Sequence, residues 1–175
     1  PFYAATFDCD VTPVRDWARR HGLSFYLTMV WTVTRACNRV PALCQEIRDG
    51  QLWQLEGRTP SFTALRPGEE CFRIVTVPME EDPAAFVTRA AAASEAQTDF
   101  IDYSREGGHL LYISCLPWLR LTALTNERQN DPDDCVPRIA WGRWTEREGR
   151  KVLSLSVDVN HRTVDGVHLG RFALA

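Results

Sequence analysis

The stretch Val157-Asp158-Val159-Asn160-His161-Arg162-Thr163-Val164-Asp165-Gly166-Val167-His168 decides how the chain is read. It continues Lys151-Val152-Leu153-Ser154-Leu155-Ser156, where large aliphatic and smaller residues alternate with the period of a half-buried strand. Asn160 and the Asp165-Gly166 pair break that period, and a helix opens at Val167. One histidine thus stands at a strand end, four residues before an aspartate and five before a glycine. An imidazole held at such a junction titrates near neutral pH and can take a proton from a thiol or hydroxyl. The same pattern equally describes a surface-loop histidine beside a turn.

Outward from this segment the chain alternates strands and helices. Phe2–Phe7 reads as a strand. Thr12-Pro13 reads as a hydroxyl cap and first-turn proline for a helix, Val14–His21, which stops at Gly22. Ser24 caps a longer helix with Phe25, Met29, Val33 and Ala36 on one face, ending before Pro41. Asp49-Gly50 and Glu148-Gly149 read as hairpin turns. Asp82-Pro83 starts an alanine-rich helix running to Ala96. Phe72–Val77, Leu110–Ser114, Leu119–Leu124, Ile139–Trp144 and Val152–Val159 are predicted strands, and the polar segment Thr125–Asp134 a loop. His21 at a helix end suits the helix dipole. His109 reads as surface or channel-facing. The six tryptophans (Trp17, Trp31, Trp53, Trp118, Trp141 and Trp144) read as core or interface.

With 175 residues, 45% hydrophobic and 25% charged, the chain suits one domain (1–175) with its own core. A net charge of −3 points to neither nucleic acid nor a membrane surface as partner. Cys9, Cys37, Cys44, Cys71, Cys115 and Cys135 show no Cys-x-x-Cys spacing, which favours reduced thiols over a metal site or disulfide framework. No signal peptide or membrane-spanning run is visible, so the expected location is cytoplasmic. Both ends, Pro1 inside a strand and Ala175 shortly into a helix, read as trimmed.

His161-Arg162-Thr163-Val164-Asp165-Gly166 resembles the His-x-x-x-Asp-Gly segment of the chloramphenicol acetyltransferase family and the Asp-His-Arg-x-x-Asp-Gly of the related dihydrolipoyl acyltransferase cores. Ile113-Ser114-Cys115-Leu116-Pro117-Trp118 is similar to the family's Ile-Ser-x-Leu-Pro-Trp. Phe25 through Pro41, with Ile47-Arg48-Asp49-Gly50-Gln51-Leu52-Trp53, resembles its long helix and hairpin. Val136-Pro137 through Gly170-Arg171-Phe172 follows the family nearly position by position. The resemblance spans most of the chain, more weakly over 54–70 and 79–109.

The resemblance implies an α/β (α+β) two-layer sandwich, a mixed β-sheet with helices packed on one face. It implies a homotrimer with active sites in channels between subunits, and acetyl transfer from acetyl-CoA to a small-molecule hydroxyl acceptor, with no metal. His161 would be the general base. Asp165 would hold the histidine loop by pairing with an arginine that precedes Pro1 in the family; Arg162 and Arg171 are the substitutes at hand, and a plain helix-cap role is the alternative. Gly166 would allow close backbone approach, and His168 would be structural. Phe2 and Tyr3 fall where the family's acceptor pocket begins.

Three positions depart from the family. Ala123 stands where a serine donates to the oxyanion, leaving Thr122 and Thr125 as candidate donors; strand alternation turns Thr122 away unless a bulge intervenes. Ala140 stands at a threonine that contributes to substrate binding. Arg138 replaces a pocket-lining aliphatic residue; inside the pocket it would favour an anionic acceptor, and otherwise it turns to solvent. Three readings follow: an active acyltransferase whose acceptor is not, or not mainly, chloramphenicol; a catalytically weakened trimeric binding protein; and a dihydrolipoyl-type core.

Overall fold

The computed structural model describes residues 1–128 and 131–175. In chain order it has β1 (Phe2–Asp10), α1 (Thr12–Arg20), α2 (Phe25–Asn38), a 3-10 turn (Pro41–Cys44), β2 (Gln45–Arg48), β3 (Gln51–Gln54), β4 (Thr59–Ala64) and β5 (Arg73–Thr76). There follow α3 (Pro83–Ala96), β6 (Leu110–Leu116), β7 (Arg138–Gly142), β8 (Thr145–Arg147), β9 (Arg150–Asn160) and α4 (Gly166–Leu174). Ser24 Oγ accepts from Leu27 N at 3.3 Å and Asp82 Oδ2 from Ala85 N at 2.9 Å, so both side-chain caps form as the sequence implies. Thr12 does not cap α1. Asp10 Oδ1 accepts from its backbone N at 3.0 Å, while the Thr12 hydroxyl accepts from Lys151 N and ties the helix start to β9. Asp49 and Gly50 (φ 52° and 74°) and Glu148 and Gly149 (φ 51° and 76°) make the two left-handed hairpin turns.

The main sheet has the order β1-β9-β7-β6-β4-β5, with β8 pairing to β9 beyond the end of β7. β6 runs parallel to β4 and β7 and the other pairings are antiparallel, giving the mixed sheet implied by the resemblance. β2 and β3 form a separate hairpin. One face carries Phe62, Val75, Ile113, Ile139, Trp141, Leu155 and Val157 against Val30, Val33, Phe86, Val87, Leu169 and Phe172 of the helices. Alternation sends Ser61, Tyr112, Arg138 and Asp158 to the other, helix-free face.

The segment Leu119–Leu124 is not a strand. β6 already has a partner on each side, so the segment cannot fold back to pair with the strand it follows. The chain turns instead at Pro117-Trp118, where Leu119 N donates to Leu116 O at 3.0 Å, and crosses the end of β7. There Arg143 N donates to Leu119 O at 2.7 Å, and a Cβ on Gly142 would lie 2.4 Å from that oxygen. β4 falls within the 54–70 stretch, where the sequence pattern marks no strand. Of the tryptophans, Trp141 is core, whereas Trp53 and Trp118 are exposed. The loop expected over 125–134 includes Gln129 and Asn130, which lie outside the described residues.

Arg58 ties the 3-10 turn, β2 and the loop before β7 to the start of β6. Its guanidinium is fully buried and directs all its donors at oxygens: Nε to Leu43 O (2.9 Å), Nη1 to Glu46 Oε1 (3.1 Å) and Leu110 O (3.4 Å), and Nη2 to Gln45 O (2.7 Å) and Cys135 O (3.1 Å). Removing one member of a buried charge pair commonly costs about 3–5 kcal/mol. Arg58→Ala is therefore expected to lose stability of that order, read by urea unfolding. A change below about 1 kcal/mol would contradict the clamp.

Candidate active site

His161 is the first residue beyond β9, and its backbone is held from both sides. Its N–H donates to Pro1 O at 2.9 Å, extending the register in which Phe2 faces Asn160. Asn160 builds the turn: its carbonyl accepts from Thr163 N (3.2 Å) and Val164 N (3.0 Å), and its Oδ1 from Arg162 N (3.0 Å). Its Nδ2 reaches Pro132 O (2.9 Å) and Asp134 O (3.1 Å), fastening the turn to the 131–134 loop. The imidazole is exposed and packs against Tyr3, with ring centroids 4.6 Å apart and planes tilted by 43°. Asn160 carries this geometry; the sequence marks it as the residue that ends the strand, but not as the one that builds the turn.

Asp165 is exposed and caps α4. Its Oδ1 accepts from Gly166 N at 2.6 Å, and its own N donates to His168 Nδ1 at 2.9 Å, a reciprocal cap. His168 is structural, as the resemblance implies, and Nδ1 must be its unprotonated nitrogen. Neither candidate arginine serves Asp165: Arg162 pairs with Asp133, and Arg171 makes no ion pair among the described residues. Because the carboxylate is solvated and backbone-bonded, no buried-charge penalty demands one. Gly166 begins α4, and a Cβ added there would meet nothing of this chain within 4 Å.

The helix-free face holds a groove of about 890 Å³. A polar row runs in register across this face, Thr76–Ser61–Tyr112–Arg138–Asp158, of which Ser61, Tyr112 and Arg138 line the groove. Glu106 closes one end, its Oε1 accepting from Ser61 Oγ (3.1 Å) and Thr76 Oγ1 (2.7 Å). At the other end Asp158, buried in β9, accepts from Arg128 Nε at 2.9 Å and from Asn126 N at 3.2 Å. Arg128 continues to Asp134 Oδ2 at 3.1 Å, and Arg138 Nη2 meets the same oxygen at 2.9 Å. Arg138 thus faces the groove, not the solvent. Its charge is answered by Asp134, and its guanidinium lies 5.5 Å from the Tyr112 ring centroid, so the expected pull on an anionic acceptor is offset within the chain.

The other candidate residues divide. Thr125 lines the groove and Thr122 does not; both are exposed. Ala140 is fully buried beside Ser156, whose Oγ donates to Leu124 O at 2.6 Å as the loop passes over the sheet. It forms no part of the groove wall, which gives it a packing role instead of the expected substrate contact. Phe2 and Tyr3 occupy opposite faces of β1, and neither lines the groove of its own chain. Phe2 sits under Arg128, with the guanidinium 4.4 Å from its ring centroid, and Tyr3 packs on His161. Cys115, next to Ser114 of the groove wall, has its thiol pushed up to about 12 by burial and supplies no thiolate. His109 is half exposed, 3.7 Å from Glu46.

Two buried side-chain atoms lack a hydrogen-bond partner among the described residues: Tyr3 Oη and Asn126 Nδ2. One stands beside the histidine, the other on the groove. Burial, then the nearby Asp165 carboxylate, raise the Tyr3 phenol above its ordinary value, so it stays protonated across the working range.

With a strand-end histidine and a polar groove on the open face of a two-layer mixed sheet, the chain has the fold of the acetyltransferases it superposes on. The chain belongs to the chloramphenicol acetyltransferase family, which it matches over residues 2–174. It is 31% identical over 175 residues to the chloramphenicol acetyltransferase of Streptomyces acrimycini, covering 97% of this chain and 79% of that one. It is 25% identical over 173 residues to chloramphenicol acetyltransferase 3 of Escherichia coli, covering 97% and 81%. A solved chloramphenicol acetyltransferase superposes with a TM-score of 0.89 at 23% identity, covering 99% of this chain and 86% of that one. The dihydrolipoamide acetyltransferase of Azotobacter vinelandii shares the fold with a TM-score of 0.77 at 17% identity, covering 99% and 79%.

Tyr3 separates ring packing from hydroxyl chemistry. An aromatic pair contributes about 0.5–1.5 kcal/mol beyond its area, and an unsatisfied buried hydroxyl costs about 1–3 kcal/mol. Tyr3→Leu is expected to lower stability and loosen the His161 ring, visible as narrowed, solvent-like imidazole NMR signals. Tyr3→Phe is expected to keep the ring in place with equal or higher stability.

Proposed function

We propose that this chain is an acetyl-CoA-dependent O-acyltransferase that uses His161 as general base, working as a homotrimer in which the histidine of one subunit serves the groove of its neighbour. The observation that carries the reading is the separation of base from groove. Among the described residues no histidine lines the groove, while His161 stands exposed just past the end of β9 with its backbone fixed. Family membership supports acetyl-CoA as co-substrate, and the resemblance to the family supports the trimer.

A hydroxyl is a weak nucleophile at neutral pH, so its proton must leave as its oxygen attacks the thioester carbonyl. A neutral imidazole beside the acceptor takes that proton, and transfer is direct, with the groove supplying orientation. The groove suits a small acceptor with both apolar and polar parts. Ile47, Phe72, Ile74, Leu116 and Leu124 supply apolar wall, and Ser61, Tyr112, Ser114 and the paired Arg138 supply polar wall. Such an acceptor need not be chloramphenicol. In the same reading the chain is one acyltransferase domain acting in the cytoplasm. No helix among the described residues is long and apolar enough to cross a membrane.

The test is thiol release from acetyl-CoA with chloramphenicol and a panel of hydroxyl compounds, wild type against His161→Ala. General-base catalysis commonly supplies ~10²–10⁴ in rate, and the variant is expected to lose at least that while remaining folded. Acetyl-CoA binding without any His161-dependent transfer would favour the binding-protein reading instead.

A further inference from the structure

Building on the acyltransferase reading, we propose that the side-chain amide of Asn126 is the oxyanion donor that stands in for the serine missing at position 123. The family's serine position is Ala123, which has no donor. The two nearby hydroxyls are poorly placed: Thr122 is off the groove wall, and Thr125, though on it, is exposed to competing water.

Asn126 is placed differently. It lies three residues beyond Ala123 in the same loop and lines the groove. The loop is bolted to the sheet on both sides of it. Ser156 Oγ donates to Leu124 O at 2.6 Å, Asn126 N donates to Asp158 Oδ2 at 3.2 Å, and Arg128 grips the other oxygen of Asp158 at 2.9 Å. Its Nδ2 is screened from water and bonded to nothing among the described residues. A buried amide donor without a partner is costly to keep, and catalytic sites are where such groups recur. A rigid, dry donor with no competing acceptor is what stabilises charge that appears only in the transition state, and asparagine side chains perform this role elsewhere.

In the step so assigned, the acceptor's O–H proton passes to a ring nitrogen of His161 while the acceptor oxygen bonds to the thioester carbonyl carbon. The carbonyl π pair moves onto its oxygen, and Nδ2–H of Asn126 donates to that oxyanion. Collapse restores the C=O bond and breaks the C–S bond, and the imidazolium returns its proton to the departing CoA sulfur.

The experiment compares steady-state transfer in wild type, His161→Ala, Asn126→Ala, Ala123→Ser and Asn126→Ala/Ala123→Ser, with trimer content checked for each. Asn126→Ala is expected to lower kcat by ~10²–10³ with little change in KM, the range for loss of one oxyanion donor. The double variant is expected to recover at least about tenfold of that loss, because the serine supplies the missing donor. Wild-type kcat in Asn126→Ala, with His161→Ala inactive, would overturn the Asn126 assignment and leave the acyltransferase reading standing. A loss that the added serine leaves uncorrected would overturn it too, by making Asn126 structural. Absence of His161-dependent transfer in wild type would overturn both.

Discussion

A carboxylate buried in the middle of a strand constrains the rest of this molecule. Asp158 sits on β9 between Val157 and Val159, 4% exposed, and a charge removed from water to that extent must be met by donors. The donors come from the loop after β6: the Arg128 guanidinium and the Asn126 backbone amide. Meeting that demand draws the loop across the helix-free face and roofs the groove. It also recruits Asp134 and, through it, Arg138. Two carboxylates and two guanidiniums thereby pair within one network, so neither arginine stands as a free cation toward a ligand.

The same strand carries the histidine. β9 leaves Asp158 on the groove face, Val159 in the core and Asn160 at the turn that presents His161. A shift of one residue in the β1–β9 register would exchange the faces and move carboxylate and imidazole together. The full-length ladder from Phe2↔Asn160 to Asp10↔Val152, with Thr12 bonded to Lys151 N at the far end, guards against that slip. The histidine and the roof of the groove therefore share one positional reference, which is a reason for a long strand at this place in the sheet.

Much of this is legible in the chain itself. The alternation through Val152–Val159, the caps at Ser24 and Asp82 and the Asp-Gly and Glu-Gly turns are local signals, and each forms as its chemistry demands. Leu119–Leu124 misleads because its alternation is real but its place in the sheet is occupied; pairing is a property of the whole sheet, invisible in a six-residue window. Tyr3 and Phe2 are neighbours in sequence and look alike as pocket candidates, yet strand alternation sends one to the histidine and the other beneath Arg128. Arg138 reads as an anomaly alone, and Asp158 draws no notice. Their meaning lies in partners 4 to 30 residues away. Asn126 gives no signal, because an asparagine in a polar loop is ordinary until its amide is found buried and unpaired.

If the His161 of one subunit works on the groove of another, subunit mixing will reveal it. Chains with His161→Ala should be inactive, and so should chains whose groove is blocked by Ser114→Trp. Trimers reassembled from a mixture of the two contain interfaces with one intact histidine and one open groove. Transfer activity is expected to reappear in the mixture, in step with subunit exchange followed by native mass spectrometry. Demonstrated exchange with no recovered activity would place base and groove in the same subunit, against the division of labour drawn here.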